Sequence, residues 1–170
     1  MALEIERKFL VVGEEWKQSK GVHICQGYLN RDKNRIVRIR TAGDQGFLTI
    51  KELTILAARG EFEYGIPLDD ARHLLGLCRG AILEKVRYTV PYAGLTWEVD
   101  EFLGANAGLI IAEVELASKH QEIELPPWVG REVTQEACYY NSNLVVRPYS
   151  TWKKRRAGSN LQHYGLAFKK

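Results

Sequence analysis

Charged residues of one sign recur two positions apart along this chain. Arg38 and Arg40, Glu61 and Glu63, Lys85 and Arg87, Glu98 and Asp100, and Glu113 and Glu115 each form such a doublet. Glu4 and Glu6 form another with Lys8 two residues on, and Lys51 follows Thr49 at the same spacing. In an extended strand residues i and i+2 point to the same face. The residues between them are mostly apolar, as at Ile5, Ile39, Ile50, Phe62, Val86, Val99 and Val114. Any one doublet is an ordinary solvated face. The sum is not, because an exposed sheet face mixes signs to avoid setting like charges side by side. Clustered acids raise one another's pKa unless a cation lies between them, and clustered bases need an anion. Carboxylate oxygens suit Mg²⁺ or Mn²⁺, while arginine forks and lysine point charges suit phosphates. The pattern predicts a chamber for a metal–polyphosphate complex, acids on one wall and bases on another, with the apolar faces packed outward.

The elements that must position these groups read as short strands. Period-2 alternation with β-branched and aromatic residues predicts strands over Leu3–Val12, His23–Asn30, Arg35–Thr41, Gly46–Glu52, Gly60–Pro67, Ala81–Tyr92, Leu95–Phe102 and Gly108–Leu116. Tight connections such as Gly43-Asp-Gln-Gly46 and Ala93-Gly94 imply antiparallel pairing. A helix is predicted over Leu68–Leu77, with acids in its first turn and Gly80 just beyond. A helical turn over Ser118–Glu122 and a last helix over Asn141–Val146 complete the reading. The tail from Ser150 changes character, with Trp152-Lys-Lys-Arg-Arg156 and a final Lys169-Lys170, and reads as a solvated or loosely docked segment.

A chain of 170 residues with 45% hydrophobic and 26% charged residues is long enough for one domain with a sizeable core. A formal charge of +3 is too small to imply nucleic-acid or membrane binding. Cys25, Cys78 and Cys138 are odd in number and widely spaced, which argues against a disulfide framework, and no CxxC pair suggests zinc. His23, His73, His120 and His163 match no motif and read as surface or packing residues. The charged opening excludes a secretory signal and no apolar run spans a membrane, so a cytoplasmic protein is expected.

The opening Glu4-Ile-Glu-Arg-Lys-Phe-Leu10 reads as ExExK at the start of a strand and resembles the signature of the triphosphate tunnel metalloenzymes, the CYTH superfamily. The likeness continues in order through Gln26-Gly-Tyr-Leu29, Arg38-Ile-Arg40, Leu48-Thr-Ile-Lys51, Arg59-Gly-Glu-Phe-Glu63, Glu84-Lys-Val-Arg87, Trp97-Glu-Val-Asp100, Ala112-Glu-Val-Glu115, Glu132-Val-Thr134 and Tyr139-Tyr-Asn-Ser-Asn-Leu144. The resemblance implies an α+β, mainly antiparallel fold: an eight-stranded closed β-barrel with a few flanking helices. The domain is set at residues 1–149, and the change of composition marks 150–170 as a basic tail. It implies a divalent metal, Mg²⁺ or Mn²⁺, and a linear triphosphate substrate. The opening string is most similar to the bacterial branch of inorganic triphosphatases.

Carried over residue by residue, the resemblance makes Glu4, Glu6, Glu113 and Glu115 metal ligands. Lys8, Arg38, Arg40, Lys51, Lys85 and Arg87 would bind the triphosphate. Glu61, Glu63 and Asp100 would hold a second metal or orient the attacking water, and Lys8 joins this catalytic group. The expected partner is inorganic triphosphate or another triphosphate-bearing small molecule, with no nucleic acid or membrane and with a homodimer left open. Three readings compete: an inorganic triphosphatase, an organic triphosphatase or adenylate cyclase of the same superfamily, and a non-catalytic polyphosphate-binding module. Relatives often carry a basic residue where this chain has Cys138, so the terminal phosphate would lose one cation if that position faced the tunnel.

Overall fold

The computed structural model describes residues 5–32, 34–53, 59–118 and 120–152. Glu4 and the basic tail beyond Trp152 lie outside the described residues. The alternating segments form strands β1 (Ile5–Val11), β2 (Val22–Asn30), β3 (Arg35–Ala42), β4 (Gln45–Leu53), β5 (Arg59–Ile66), β6 (Leu83–Tyr92), β7 (Leu95–Phe102), β8 (Ile110–Leu116) and β9 (Val129–Glu132). Helix α1 (Leu68–Leu77) lies between β5 and β6, and α2 (Asn141–Leu144) follows β9. The strands form one antiparallel sheet in the order β5-β4-β3-β2-β6-β7-β8-β1-β9.

The fold is therefore mainly antiparallel β with a few helices, and the eight expected strands stand within a few residues of their predicted bounds. The ninth was not expected. Its four residues follow Pro126-Pro127 and pair with the free edge of β1 through an irregular register between Phe9 and Val11. Among the described residues no ladder joins β5 to β9, so curvature, not a closing ladder, gathers all nine strands around one cavity. The turn expected over Ser118–Glu122 is a single hydrogen bond from Gln121 N–H to the Ser118 carbonyl, 3.2 Å.

Sequence parity decides the two faces. On the outer face Phe9, Val90, Trp97, Val99, Ala112, Val114 and Leu116 form a core with Trp16 and Trp128 from the flanking loops. Trp16 is wholly buried and meets Tyr88 edge-on at 4.9 Å, and Trp97 meets Trp128 edge-on at 5.8 Å. Such contacts add about 0.5–1.5 kcal/mol each beyond area burial. Over β3 and β4 the outer cover is α1, whose buried Ala71 packs so closely that a Cβ on Gly46 would lie 2.7 Å from the Ala71 Cβ. Only glycine admits the helix there.

The inner face is charged over only part of its length. Toward one common end it turns apolar: Leu10 follows Lys8, Tyr28 follows Gln26, Phe102 follows Asp100, and Ile36, Leu83 and Ile111 precede Arg38, Lys85 and Glu113, each by two residues. These six pack with Leu109 and with Leu144 and Val145 at the end of α2. A second core thus fills the inner face at that end and leaves the charged groups at the other.

Candidate active site

The inner charges line a cavity of about 1390 Å³ that takes residues from every strand. Cross-strand register sorts them into two networks. In the first, β1, β6, β7 and β8 set Lys8 opposite Glu113 and Arg87 opposite Asp100. The Lys8 ammonium lies 2.5 Å from Glu113 and 2.8 Å from Glu6. Lys85 reaches Asp100 at 2.5 Å, and Arg87 grips both Asp100 oxygens at 2.7 Å while also meeting Glu113 at 3.2 Å and pairing with Glu98. In the second, β3, β4 and β5 set Lys51 opposite Glu61 and Thr49 opposite Glu63. Lys51 lies 2.6 Å from Glu61, Arg40 2.9 Å from Glu63, and Arg38 3.4 Å from Glu63 and 3.6 Å from Glu61. The Thr49 hydroxyl donates to Glu63 at 2.8 Å.

Acids and bases therefore interleave instead of occupying opposite walls as expected. Without a ligand, a buried charge needs an opposite neighbour within reach, and the antiparallel register supplies one from the adjacent strand. The expected sorting survives as an imbalance. The first network sets Lys8, Lys85 and Arg87 against Glu6, Glu98, Asp100 and Glu113, a net acid excess. Among the described residues the second sets Arg38, Arg40 and Lys51 against Glu61 and Glu63, a net base excess. The Nε groups of Arg38 and Arg40 are buried and lack a hydrogen-bond partner.

The electrostatics differ accordingly. Burial opposes ionisation of Glu113, yet Lys8, Lys85 and Arg87 overcome it and pull its carboxyl down to about 2. Clustering was expected to raise such acids, and the interleaved bases reverse the sign. Burial also opposes the charges of Lys8 and Arg87, but Glu113 and Glu6 hold Lys8 above the usual lysine range and Asp100 does the same for Arg87. Burial lowers Lys85, which Asp100 offsets only in part. In the second network burial and the neighbouring Arg38 lower Arg40, with Glu63 opposing.

Of the expected site residues, Glu6, Lys8, Arg38, Arg40, Lys51, Glu61, Glu63, Lys85, Arg87, Glu113 and Glu115 all line the cavity. Asp100 does not: it is fully buried behind the wall with both oxygens on Lys85 and Arg87, which suits a residue that positions those cations. Cys138 is exposed and is not part of the lining, so the expected gap beside a terminal phosphate does not arise there. Sequence reasoning gave no role to Thr49, nor to Gln26, whose amide donates to the buried Tyr28 hydroxyl at 3.0 Å on the cavity face. Their parity was visible, but neutral polar residues carried no doublet.

Glu6 and Glu115 are register partners on β1 and β8, with Glu113 on the same face. Three carboxylates thus share one strip of lining, oxygen donors of the type that Mg²⁺ or Mn²⁺ takes, although their donor atoms do not all lie within 4.8 Å of one another. Lys8 Nζ now bridges two of them, which shows that the strip attracts positive charge.

Residues 2–149 match the CYTH domain, and the chain belongs to that family. Within it, the chain is 47% identical over 156 residues to a protein of Acetivibrio thermocellus named inorganic triphosphatase, covering 91% of this chain and 100% of that one. It is 35% identical over 147 residues to a Nitrosomonas europaea protein of the same name, covering 84% and 97%. A crystal structure of an inorganic triphosphatase shares the fold with a TM-score of 0.66 at 34% identity, over 86% of this chain and 96% of that chain. A Pyrococcus horikoshii protein at 20% identity shares the fold more loosely, with a TM-score of 0.53 over 68% and 79%.

Proposed function

We propose that the protein hydrolyses inorganic triphosphate to diphosphate and phosphate with the help of a divalent cation. The observation that carries this reading is the pair of opposed charge excesses across one cavity, with the Arg38 and Arg40 Nε groups buried and without a hydrogen-bond partner. The names of the two bacterial relatives support it.

In this reading Arg38, Arg40 and Lys51 grip the phosphates from one side, and Lys8, Lys85 and Arg87 grip them from the other. Glu61 and Glu63 orient the attacking water, and one of the two carboxylates takes its proton. Its oxygen bonds to a terminal phosphorus as the bridging P–O bond breaks, and diphosphate leaves against the cations of the first network. Phosphoryl transfer depends on placement and charge neutralisation more than on covalent chemistry by the protein. Glu6, Glu113 and Glu115, with Glu4 as a fourth candidate, would hold Mg²⁺ or Mn²⁺, which supplies Lewis-acid neutralisation of the phosphate oxygens. Asp100 fixes Lys85 and Arg87 without touching substrate. Among the described residues no helix is long and apolar enough to cross a membrane, and we assign the reaction to the cytoplasm.

The test is phosphate release from inorganic triphosphate, long-chain polyphosphate, ATP, GTP and thiamine triphosphate, with each metal in turn. The cavity motifs offer partners for phosphates and none for a base, so kcat/KM for triphosphate should exceed that for ATP by at least ~10-fold, or ~1.4 kcal/mol. A better rate with one organic triphosphate would replace the inorganic assignment. Cyclic AMP with diphosphate would indicate a cyclase. Tight binding without turnover would leave a polyphosphate-binding module.

A further inference from the structure

On the outer face of the sheet, away from the cavity, three side chains of different donor type converge. His23 and Cys25 share a face of β2 at i, i+2 spacing, and Glu84 on β6 is the register partner of Cys25. His23 Nε2 lies 3.5 Å from Glu84 Oε2, and Cys25 Sγ lies 3.8 Å from His23 Nδ1. One donor atom from each residue lies within 4.8 Å of the other two, and no second group of His, Cys, Asp or Glu meets that criterion among the described residues. The next residues along, Ile24 and Lys85, are register partners on the inner face. The full thickness of the sheet therefore separates this cluster from the cavity.

Hydrogen bonding alone explains the cluster poorly, since the His23–Glu84 contact at 3.5 Å is long for it, although the Cys25–His23 contact at 3.8 Å is within the reach of sulfur. A Cys–His nucleophile would need a lowered thiol pKa, whereas burial and the nearby Glu84 charge raise Cys25. A cation between the three groups resolves both difficulties, because it stabilises the thiolate and relieves its proximity to the carboxylate. Thiolate, imidazole and carboxylate together are a zinc donor set, and three protein ligands leave a fourth position for water. Ligand bonds of 2.0–2.3 Å put tetrahedral donors about 3.3–3.8 Å apart. The 3.5 and 3.8 Å contacts use different nitrogens of His23, only one of which can bind the ion, and with one donor from each residue the three already lie within 4.8 Å of one another. His23 and Glu84 are half exposed, at 51% and 50% of their side chains, so an ion has an entry path and water can complete its shell.

We propose that His23, Cys25 and Glu84 form a Zn²⁺ site that clamps β2 to β6. The place gives the clamp a consequence. The network of β1, β6, β7 and β8 and the network of β3, β4 and β5 meet through the β2–β6 ladder, which runs only from Val22–Gln26 against Leu83–Arg87. Zinc at that seam ties the two charged walls together from outside without entering the cavity.

The experiment titrates the metal-free full-length protein with Co²⁺ while saturating Mg²⁺ occupies the oxygen-donor sites. Expected are a thiolate-to-cobalt absorption band in the near ultraviolet at one equivalent, its displacement by Zn²⁺, and a Tm that rises with zinc concentration. Cys25→Ser should abolish the band. His23→Ala and Glu84→Gln should each weaken binding by about tenfold or more, since lost outer partners alone cost that much. Glu113→Gln in the cavity should leave the band unchanged. His23 and Glu84 are half exposed and Cys25 is only partly buried, and melting of each metal-free variant reports whether its fold is retained. Absence of the band overturns the site, as does a band that survives Cys25→Ser or an affinity indifferent to both other substitutions. Triphosphate turnover in the Cys25→Ser protein is measured in parallel, so failure of the zinc site and failure of the triphosphatase reading remain distinct.

Discussion

On one side of the cavity Lys85 and Asp100 keep 2% and 1% of their side-chain surface; on the other Arg38, Arg40, Lys51, Glu61 and Glu63 keep between 15% and 32%. The same residue types thus meet two dielectric environments. At the Lys85–Asp100 centre of the first network each charge is held by partners that cannot leave without stranding it, whereas Glu6 and Glu98 at its margin keep 37% and 43% of their side-chain surface. In the open network water screens the pairs, the bases outnumber the acids, and two guanidinium Nε groups have no partner. The difference teaches a division of labour: one wall is a prearranged frame, and the other keeps electrostatic capacity for an incoming polyanion.

Matched deletions of an acid from each network test that division most directly. Asp100→Ala leaves Lys85 and Arg87 without their shared carboxylate, and a broken buried pair costs ~3–5 kcal/mol. Glu63→Ala in the screened network should cost under ~1 kcal/mol. Urea unfolding of both variants measures the contrast, and equal losses would erase it.

Activity should show the reverse emphasis for the open wall. Arg40→Ala is expected to lower kcat/KM for triphosphate on the order of 100-fold, the scale of losing one charge-stabilising donor. Its unfolding midpoint should barely move, because Arg40 is held below its ordinary pKa by burial and Arg38. A large fall in stability with little loss of activity would assign Arg40 to the frame instead.

Acid titration gives a smaller, directional effect. The Glu113 carboxyl falls from 4.5 to about 2 on folding, so its stabilising contribution is fully present above pH 4.5 and is lost as pH falls toward 2. Glu113→Gln should remove that part of the acid limb in a plot of stability against pH. An unaltered limb would mean that the first network does not keep the Glu113 carboxyl ionised. The smallest effect belongs to Cys138→Arg: exposed and away from the cavity lining, it should leave kcat/KM within about twofold.

Much of this molecule was legible before any coordinates, because strand parity is a local property. Alternation of charge with Ile, Val and Phe assigned nearly every charged residue to a face, and most of the expected ligands do line one cavity. The turn at Ala93-Gly94 was likewise readable from its glycine, while the positive φ of Ala93 was not. What parity cannot specify is the neighbour. Register between β1 and β8, far apart in the chain, set Lys8 against Glu113, and the β6–β7 hairpin set Arg87 against Asp100, turning two imagined walls of like charge into interleaved pairs. Register also hid Asp100 behind the wall and brought Glu84 to His23 and Cys25, residues without a shared motif. The apolar end of the cavity, the short β9 and the remoteness of Cys138 came from packing in the same way. Periodicity assigns a side chain to a face through local backbone geometry, whereas its electrostatic partner depends on long-range pairing chosen by the burial of the whole sheet.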